Sequence, residues 1–271
     1  MRKGTAAIFL TLIFFPGHYI LAQPTVLKGA WVTPEQDLIE IRNLGRDSSN
    51  VMANKLMQED YFHLFMLGDT LSFQHIYTNS RTQFKIEYVD RYDLKVVSCD
   101  KSSLIVKPVS KLSKAYFQNR PLLKLKRKEQ VIDTTFVFEK LVYHATQAWF
   151  SPTVSLQLDN RKNLYLEINN GFYGHNKDLA TGQYMAVLDD STYKQCITIL
   201  QNSSIRSLRF GNVEVKDSPE ITLIIYFNGQ RKYLKSTFTP RVANDLLSFI
   251  TWRLQTYASL KLIDRGYELE R

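Results

Sequence analysis

Short runs of alternating apolar and polar residues, separated by turn-forming clusters, dominate the first half of this 271-residue chain. They constrain the fold more than any other feature. A side-chain period of two puts every second residue on one face of a strand and leaves no continuous stripe for a helix to bury. TQFKIEYV, DLKVVS and SLIVKPV are such runs, rich in β-branched and aromatic residues, with turns such as TNSR and CDKSS around them. LGDTLSFQ places Gly68-Asp69 between two apolar runs, a hairpin signal. One helical interruption is predicted at Ser110 to Gln118, with Leu112, Ala115 and Tyr116 on one side, and a further strand at Leu122 to Arg127. Val26 to about Phe138 thus reads as a mostly β unit, an antiparallel sandwich or a small barrel.

The second half changes character. SLQLDNRKNLYLEI is a hairpin around Asp159-Asn160, and QYMAVL is a third strand. Asp190 is placed to cap a helix ending near Asn202, because a carboxylate accepts from the unpaired N–H groups of a first turn. EITLIIYF and RKYLKS flank Asn228-Gly229, the strongest short turn signal in the chain. Thr239-Pro240 opens a last helix lined by Ala243, Leu246, Leu247, Ile250, Leu254 and Tyr257. The order predicts an antiparallel sheet with two helices on one face, so the whole chain is α+β. The expected division is 1–22 as a signal peptide, 23–143 as the mostly β domain and 150–271 as the α+β domain, with the boundary between His144 and Pro152.

The N-terminal assignment rests on three features. Arg2 and Lys3 are followed by a ten-residue apolar stretch, Ala6 to Phe15, broken only by Thr11; Pro16-Gly17 then end the run, and small Ala22 precedes Gln23. That layout predicts export with cleavage near Ala22, into the periplasm or out of the cell, rather than an uncleaved anchor. A spanning helix needs about 20 apolar residues, and no run after Ala22 approaches this, so no transmembrane span is expected. Loss of Arg2 and Lys3 lowers the formal charge from +9 to +7, which suits anionic surfaces and glycans as well as plain solubility. Export permits a disulfide, but Cys196 shares a helical face with Tyr193, Ile197 and Leu200, so both Cys99 and Cys196 are expected unpaired.

Two resemblances add to this reading. LKGAWVTPEQDLIEI carries a Gly-x-Trp strand, Gly29 and Trp31, and with the strands after it resembles lipocalin-like domains of exported bacterial proteins. The resemblance implies that the Trp plugs one end of the β structure. Phe150 to Tyr257 resembles a family of small bacterial envelope domains of unknown function, with Ser151-Pro152 at the first strand, Gly182 and Tyr184 at a Gly-x-Tyr step, and Asp217 with Pro219 before the second hairpin. Many members carry two cysteines before the first strand, where this chain has none, so no redox or metal role carries over.

Chemistry-bearing motifs are sparse. GxSxG, Gly-rich phosphate loops, CxxC, HExxH and close Cys/His clusters are absent, so neither cofactor nor metal is expected. His63 and His75 flank LFMLGDTLSFQ, either facing each other across a hairpin or standing as separate half-exposed strand residues. The loop GFYGHNKD offers Phe172, Tyr173, His175 and Asp178 between Gly171 and Gly174 and the next strand, whose Tyr184 is close in sequence. Aromatic faces there would bind a sugar or planar group; a bulged turn is the plainer alternative. In RPLLKLKRKEQ, Leu123, Leu125 and Arg127 share one strand face, and Lys124, Lys126 and Lys128 the other, as an anion-binding row or a solvated edge strand. The chain therefore reads as an exported binding or interaction module without catalysis, its partner an envelope protein, a glycan or an anionic surface, and not a nucleic acid. The competing reading is an envelope hydrolase assembled from His144, His175 and Asp178 or nearby acids.

Overall fold

A computed structural model describes residues 24–56, 58–146, 152–169, 180–211, 216–264 and 266–270. The first unit opens with a single helical turn, α1 (Pro24–Leu27), followed by β1 (Gly29–Val32), β2 (Leu38–Ile41), β3 (Gly45–Ala53), β4 (Glu59–Leu67), β5 (Thr70–Tyr77), β6 (Tyr88–Cys99), β7 (Ser103–Pro108), helix α2 (Lys111–Tyr116) and β8 (Leu123–Arg127). Each strand pairs antiparallel with the next, and β8 returns to β1 through Trp31↔Arg127 and Val32↔Lys126. The expected sandwich-or-barrel is therefore a closed eight-stranded barrel, as a lipocalin-like domain would have. Closure removes every sheet edge, so β8 is not an edge strand.

Strand alternation sorts the side chains. Trp31, Ile39, Ile41, Met52, Phe62, Leu64, Leu71, Phe73, Leu94, Leu104, Val106, Leu123 and Leu125 fill the lumen. Eight strands enclose a space about as wide as such side chains. Trp31 sits at one end, its Nε1 donating to Leu27 O at 2.8 Å. At the other end Ser110 caps α2 by accepting from Ser113 N, and Phe117 enters the core fully buried. The register pairs His63 with Gln74, so His63 and His75 lie on opposite faces and do not meet. TQFKIE remains outside the strands, because a Ser80–Thr82 turn capped by Asn79 precedes it and β6 begins only at Tyr88.

The second unit is a seven-stranded antiparallel sheet in the order β14-β13-β9-β10-β11-β12-β15. Its strands are β9 (Phe138–Ala145), β10 (Thr153–Asp159), β11 (Asn163–Asn169), β12 (Gly182–Val187), β13 (Ile221–Phe227), β14 (Gln230–Ser236) and the short β15 (Lys261–Leu262). Helix α3 (Asp190–Asn202) and helix α4 (Asn244–Ser248), which runs on as a π-helical turn over Phe249–Leu254, lie on one face. Asp189, not Asp190, caps α3, accepting from Thr192 N at 2.7 Å. Thr239 makes no cap: a 3-10 turn at Arg241–Ala243 follows Pro240 before α4 begins. Both cysteines are free, Cys196 fully buried and Cys99 partly so.

The change of sheet comes earlier in the chain than the change in sequence pattern at 144–152. β9 sits between β13 and β10, with Leu156↔Tyr143 and Leu223↔Tyr143, so the switch falls within residues 128–137. The two units also share a core. Val32, Leu38 and Ala53, on the outer wall of the barrel, belong to the same apolar cluster as Leu246, Ile250 and Leu254. No helix among the described residues is long and apolar enough to cross a membrane.

Candidate functional site

The sites expected from sequence separate in space. Phe172, Tyr173, His175 and Asp178 lie outside the described residues, as does the expected leader. Tyr184, on β12, turns into the helix-side core at 6% exposure and donates its hydroxyl to Ala180 O at 2.9 Å. Lys124 and Lys126 project into solvent from the barrel wall, whereas Lys128 reaches Asp245 on α4 at 2.6 Å and is tied to the junction of the two units. The lysine row therefore divides between free solvent and an ion pair with the exposed Asp245.

The face of the sheet away from the helices carries a polar row. Thr222, His144, Ser155, Glu167 and Gln183 are successive cross-strand partners on β13, β9, β10, β11 and β12. His144 Nδ1 lies 2.8 Å from Ser155 Oγ. A hydroxyl beside an imidazole has the form of an activated nucleophile, but Ser155 is only 2% exposed, and a nucleophile must reach its substrate. The same face is strapped by the C-terminal segment. Tyr267 stacks on Tyr165 with centroids 3.8 Å apart, and Glu270 meets Lys140 and the Tyr226 hydroxyl, each at 2.6 Å. This row is a packed polar layer rather than a reaction centre. Among the described residues no three His, Cys, Asp or Glu side chains converge as metal ligands would.

The arrangement with the most binding character is at the sheet edge formed by β14. The irregular segment after α3 runs alongside this strand and encloses a cleft of about 720 Å³, lined by Leu208, Arg209, Phe210 and Gly211 on one side and by Lys232 to Thr237 on the other, with Glu220. Two bonds hold the walls together: Ser236 Oγ donates to Gly211 O at 2.7 Å and Lys232 Nζ to Arg206 O at 3.1 Å. Arg206 is itself anchored, its Nε 2.7 Å from Asp133 and its guanidinium 5.3 Å from the Phe227 ring centre. The strand period directs Lys232, Leu234 and Ser236 to the core side and Arg231, Tyr233 and Lys235 to the other.

The cleft's charges are unequally matched. Lys235 pairs with Glu220 at 2.8 Å, a contact that raises its pKa. Arg209 and Lys232 have no carboxylate partner among the described residues. Burial, and secondarily the positive charge of Arg209, lower the Lys232 pKa. Two cations facing the same cleft repel each other, and an oxyanion between them would relieve the repulsion and the partial burial of Lys232. Tyr233 adds an exposed ring, flanked by Arg231 at 5.3 Å. The sequence reading missed this site because RSLRFG and RKYLKS are separated by the β13 hairpin and neither is unusual alone. The one available signal was that both stretches are basic and aromatic.

No family model matches the chain, and no curated protein matches it.

Proposed function

We propose that this chain is an exported, non-catalytic binding module of the bacterial envelope that holds oxyanion groups, the phosphates or uronates of an envelope glycan, in the cleft between residues 208–211 and β14. The observation that carries this reading is the pair Arg209 and Lys232, two cations lining one cleft with no carboxylate partner among the described residues. Export and the envelope setting rest on the leader-like N-terminus and on the two resemblances. The eight-stranded barrel is compatible with a lipocalin-like domain, and its interior is lined by buried apolar side chains that offer nothing to an oxyanion, which favours the second unit as the binding side. An arginine fork suits a carboxylate or phosphate, and Tyr233 offers a flat face for a sugar ring.

The test is binding of the full chain to polygalacturonate, to a phosphate-bearing glycan and to neutral dextran. The uronate and phosphate arms distinguish the two oxyanion sources. Both anionic polymers, or one of them, should bind, dextran should not, and Arg209→Gln with Lys232→Gln should weaken binding by about a hundredfold or more, since charged hydrogen bonds contribute about 1.5–3 kcal/mol each. Affinity should also fall on raising the pH, starting below the ordinary lysine range, as Lys232 loses its proton. Unchanged binding in a folded double variant would sink the proposal.

A further inference from the structure

The β5–β6 hairpin ends in a tip that a water-exposed turn has no reason to carry. Tyr77 and Tyr88 close it as directly opposed partners, their rings 5.6 Å apart. Backbone pairing between β4 and β5 reaches only His63↔Gln74, while β5 and β6 pair on to Tyr77↔Tyr88, so the tip projects beyond its neighbour. Past that pair, Phe84 is 66% exposed and Ile86 52%, with Tyr77 and Val89 each 45% exposed beside them. The tip is built rather than loose. Asn79 Oδ1 accepts from Thr82 N at 3.1 Å, and the N–H groups of Gln83, Phe84 and Lys85 donate to Ser80, Asn79 and Thr82 carbonyls, each at 3.0 Å. Gln83 and Phe84 both hold left-handed backbone, φ 52° and 59°. A bulky aromatic is an unfavourable choice for such a turn, where Asn or Gly would be at ease. Here the strained backbone fixes an aromatic ring in solvent.

The charges around the tip are one-sided. Its single acid between Tyr77 and Val89, Glu87, is matched by Arg46 of β3 at 2.8 Å. Arg81 and Lys85, which flank Phe84, have no ion partner among the described residues, so the tip is net positive. We propose that this tip docks the protein on an anionic bilayer surface, with Phe84 and Ile86 dipping among the acyl-chain boundaries and Arg81 and Lys85 meeting lipid phosphates. A few apolar side chains with neighbouring cations suffice for interfacial attachment, whereas a stable protein–protein contact needs on the order of 1,000 Å², far more than four side chains at a hairpin end supply. The inference is independent of the oxyanion cleft, which lies on the second unit.

The experiment uses the full chain with Phe84→Trp, read against the unchanged chain to subtract the three native tryptophans and whatever residues 1–22 contribute. On vesicles of phosphatidylglycerol and phosphatidylethanolamine, the added indole should shift its emission to the blue and be quenched by brominated acyl chains. On phosphatidylcholine vesicles it should not. Phe84→Asp with Ile86→Asp should lower vesicle partitioning by about tenfold or more, and Arg81→Gln with Lys85→Gln should remove most of its salt sensitivity. Circular dichroism confirms folding of each variant, and Arg209→Gln with Lys232→Gln should leave the tip's shift intact. An indole that stays in water on anionic vesicles, or that responds equally to neutral ones, overturns the proposal, as does a shift induced only by a soluble protein.

Discussion

At the scale of single residues, Gly29 and Arg127 show why a two-residue motif can organise a whole barrel. Arg127 lies over the Trp31 ring, 4.3 Å from its centre, and donates to three carbonyls: Lys101 at 2.7 Å, Lys28 at 2.8 Å and Val26 at 2.7 Å. One side chain thus ties β8 and the β6–β7 turn to the N-terminal helical turn. Gly29 makes room for it: its φ is +128°, and a Cβ there would stand 2.5 Å from Arg127 Nη1. The guanidinium cannot swing away without giving up those bonds. Gly29→Ala should therefore cost about 2–4 kcal/mol, from backbone strain plus the displaced hydrogen bonds, and lower the denaturant midpoint accordingly. A midpoint equal to that of the wild type would show that Arg127 is less firmly held than these contacts require.

At the scale of elements, α3 is secured at its start by Asp189. The carboxylate accepts from Thr192 N, from the Tyr257 hydroxyl at 2.9 Å and from the Thr192 hydroxyl at 2.9 Å, and these bonds hold its pKa down to about 2. The unfolded value is about 4. A carboxylate whose folded pKa is depressed stabilises the fold above its unfolded pKa and loses that contribution as pH falls towards the folded one. The cap should therefore be at full strength above about pH 4 and gone near pH 2. In Asp189→Ala the melting temperature should fall at neutral pH, and the gap from wild type should close on acidification through that window. A gap that persists unchanged at the acid end would assign the loss to packing rather than to the charged cap. Because Tyr257 follows the π-helical turn and Asp189 precedes α3, the same carboxylate also ties the two helices of the layer together.

At the scale of the whole molecule, the barrel and the sheet are joined by a charged junction over a shared apolar one. Arg241, ahead of α4, meets Glu40 of β2 at 3.1 Å and Glu59 of β4 at 3.3 Å, and its guanidinium reaches the Tyr61 hydroxyl at 3.1 Å. All three charged side chains are largely buried, at 15%, 21% and 19% exposure. Removing the cation leaves Glu40 to Arg42 alone, at 2.7 Å, and takes the ion pair from the largely buried Glu59, which costs more than the pair contributes when intact. Arg241→Ala should destabilise by about 2–4 kcal/mol and uncouple the units, so that barrel and sheet melt in separate steps by calorimetry. A single sharp transition with little loss would mean that Val32, Leu38 and Ala53 hold the junction without the charges.

The elements that the residues alone determined are those whose information is local. Alternation identified most strands, Asn228-Gly229 and Gly68-Asp69 identified two hairpins, and the Leu112, Ala115 and Tyr116 side and the Cys196 face identified helices, because each depends on side chains within a turn or two of one another. TQFKIEYV alternates like a strand, yet Thr82 to Glu87 form the projecting tip, because alternation reports faces but not whether a neighbouring strand is there to pair. Closure of the barrel, the placement of β9 at the centre of the second sheet and the burial of Ser155 beside His144 were not legible, since strand partners are chosen by register over long separations. The oxyanion cleft was hidden for the same reason: Arg209 and Lys232 become neighbours only when the segment after α3 is laid along the edge of β14. Local chemistry thus settled the α+β class and the hairpins of the second sheet, while the tertiary packing of distant segments alone decided which charges ended up facing each other.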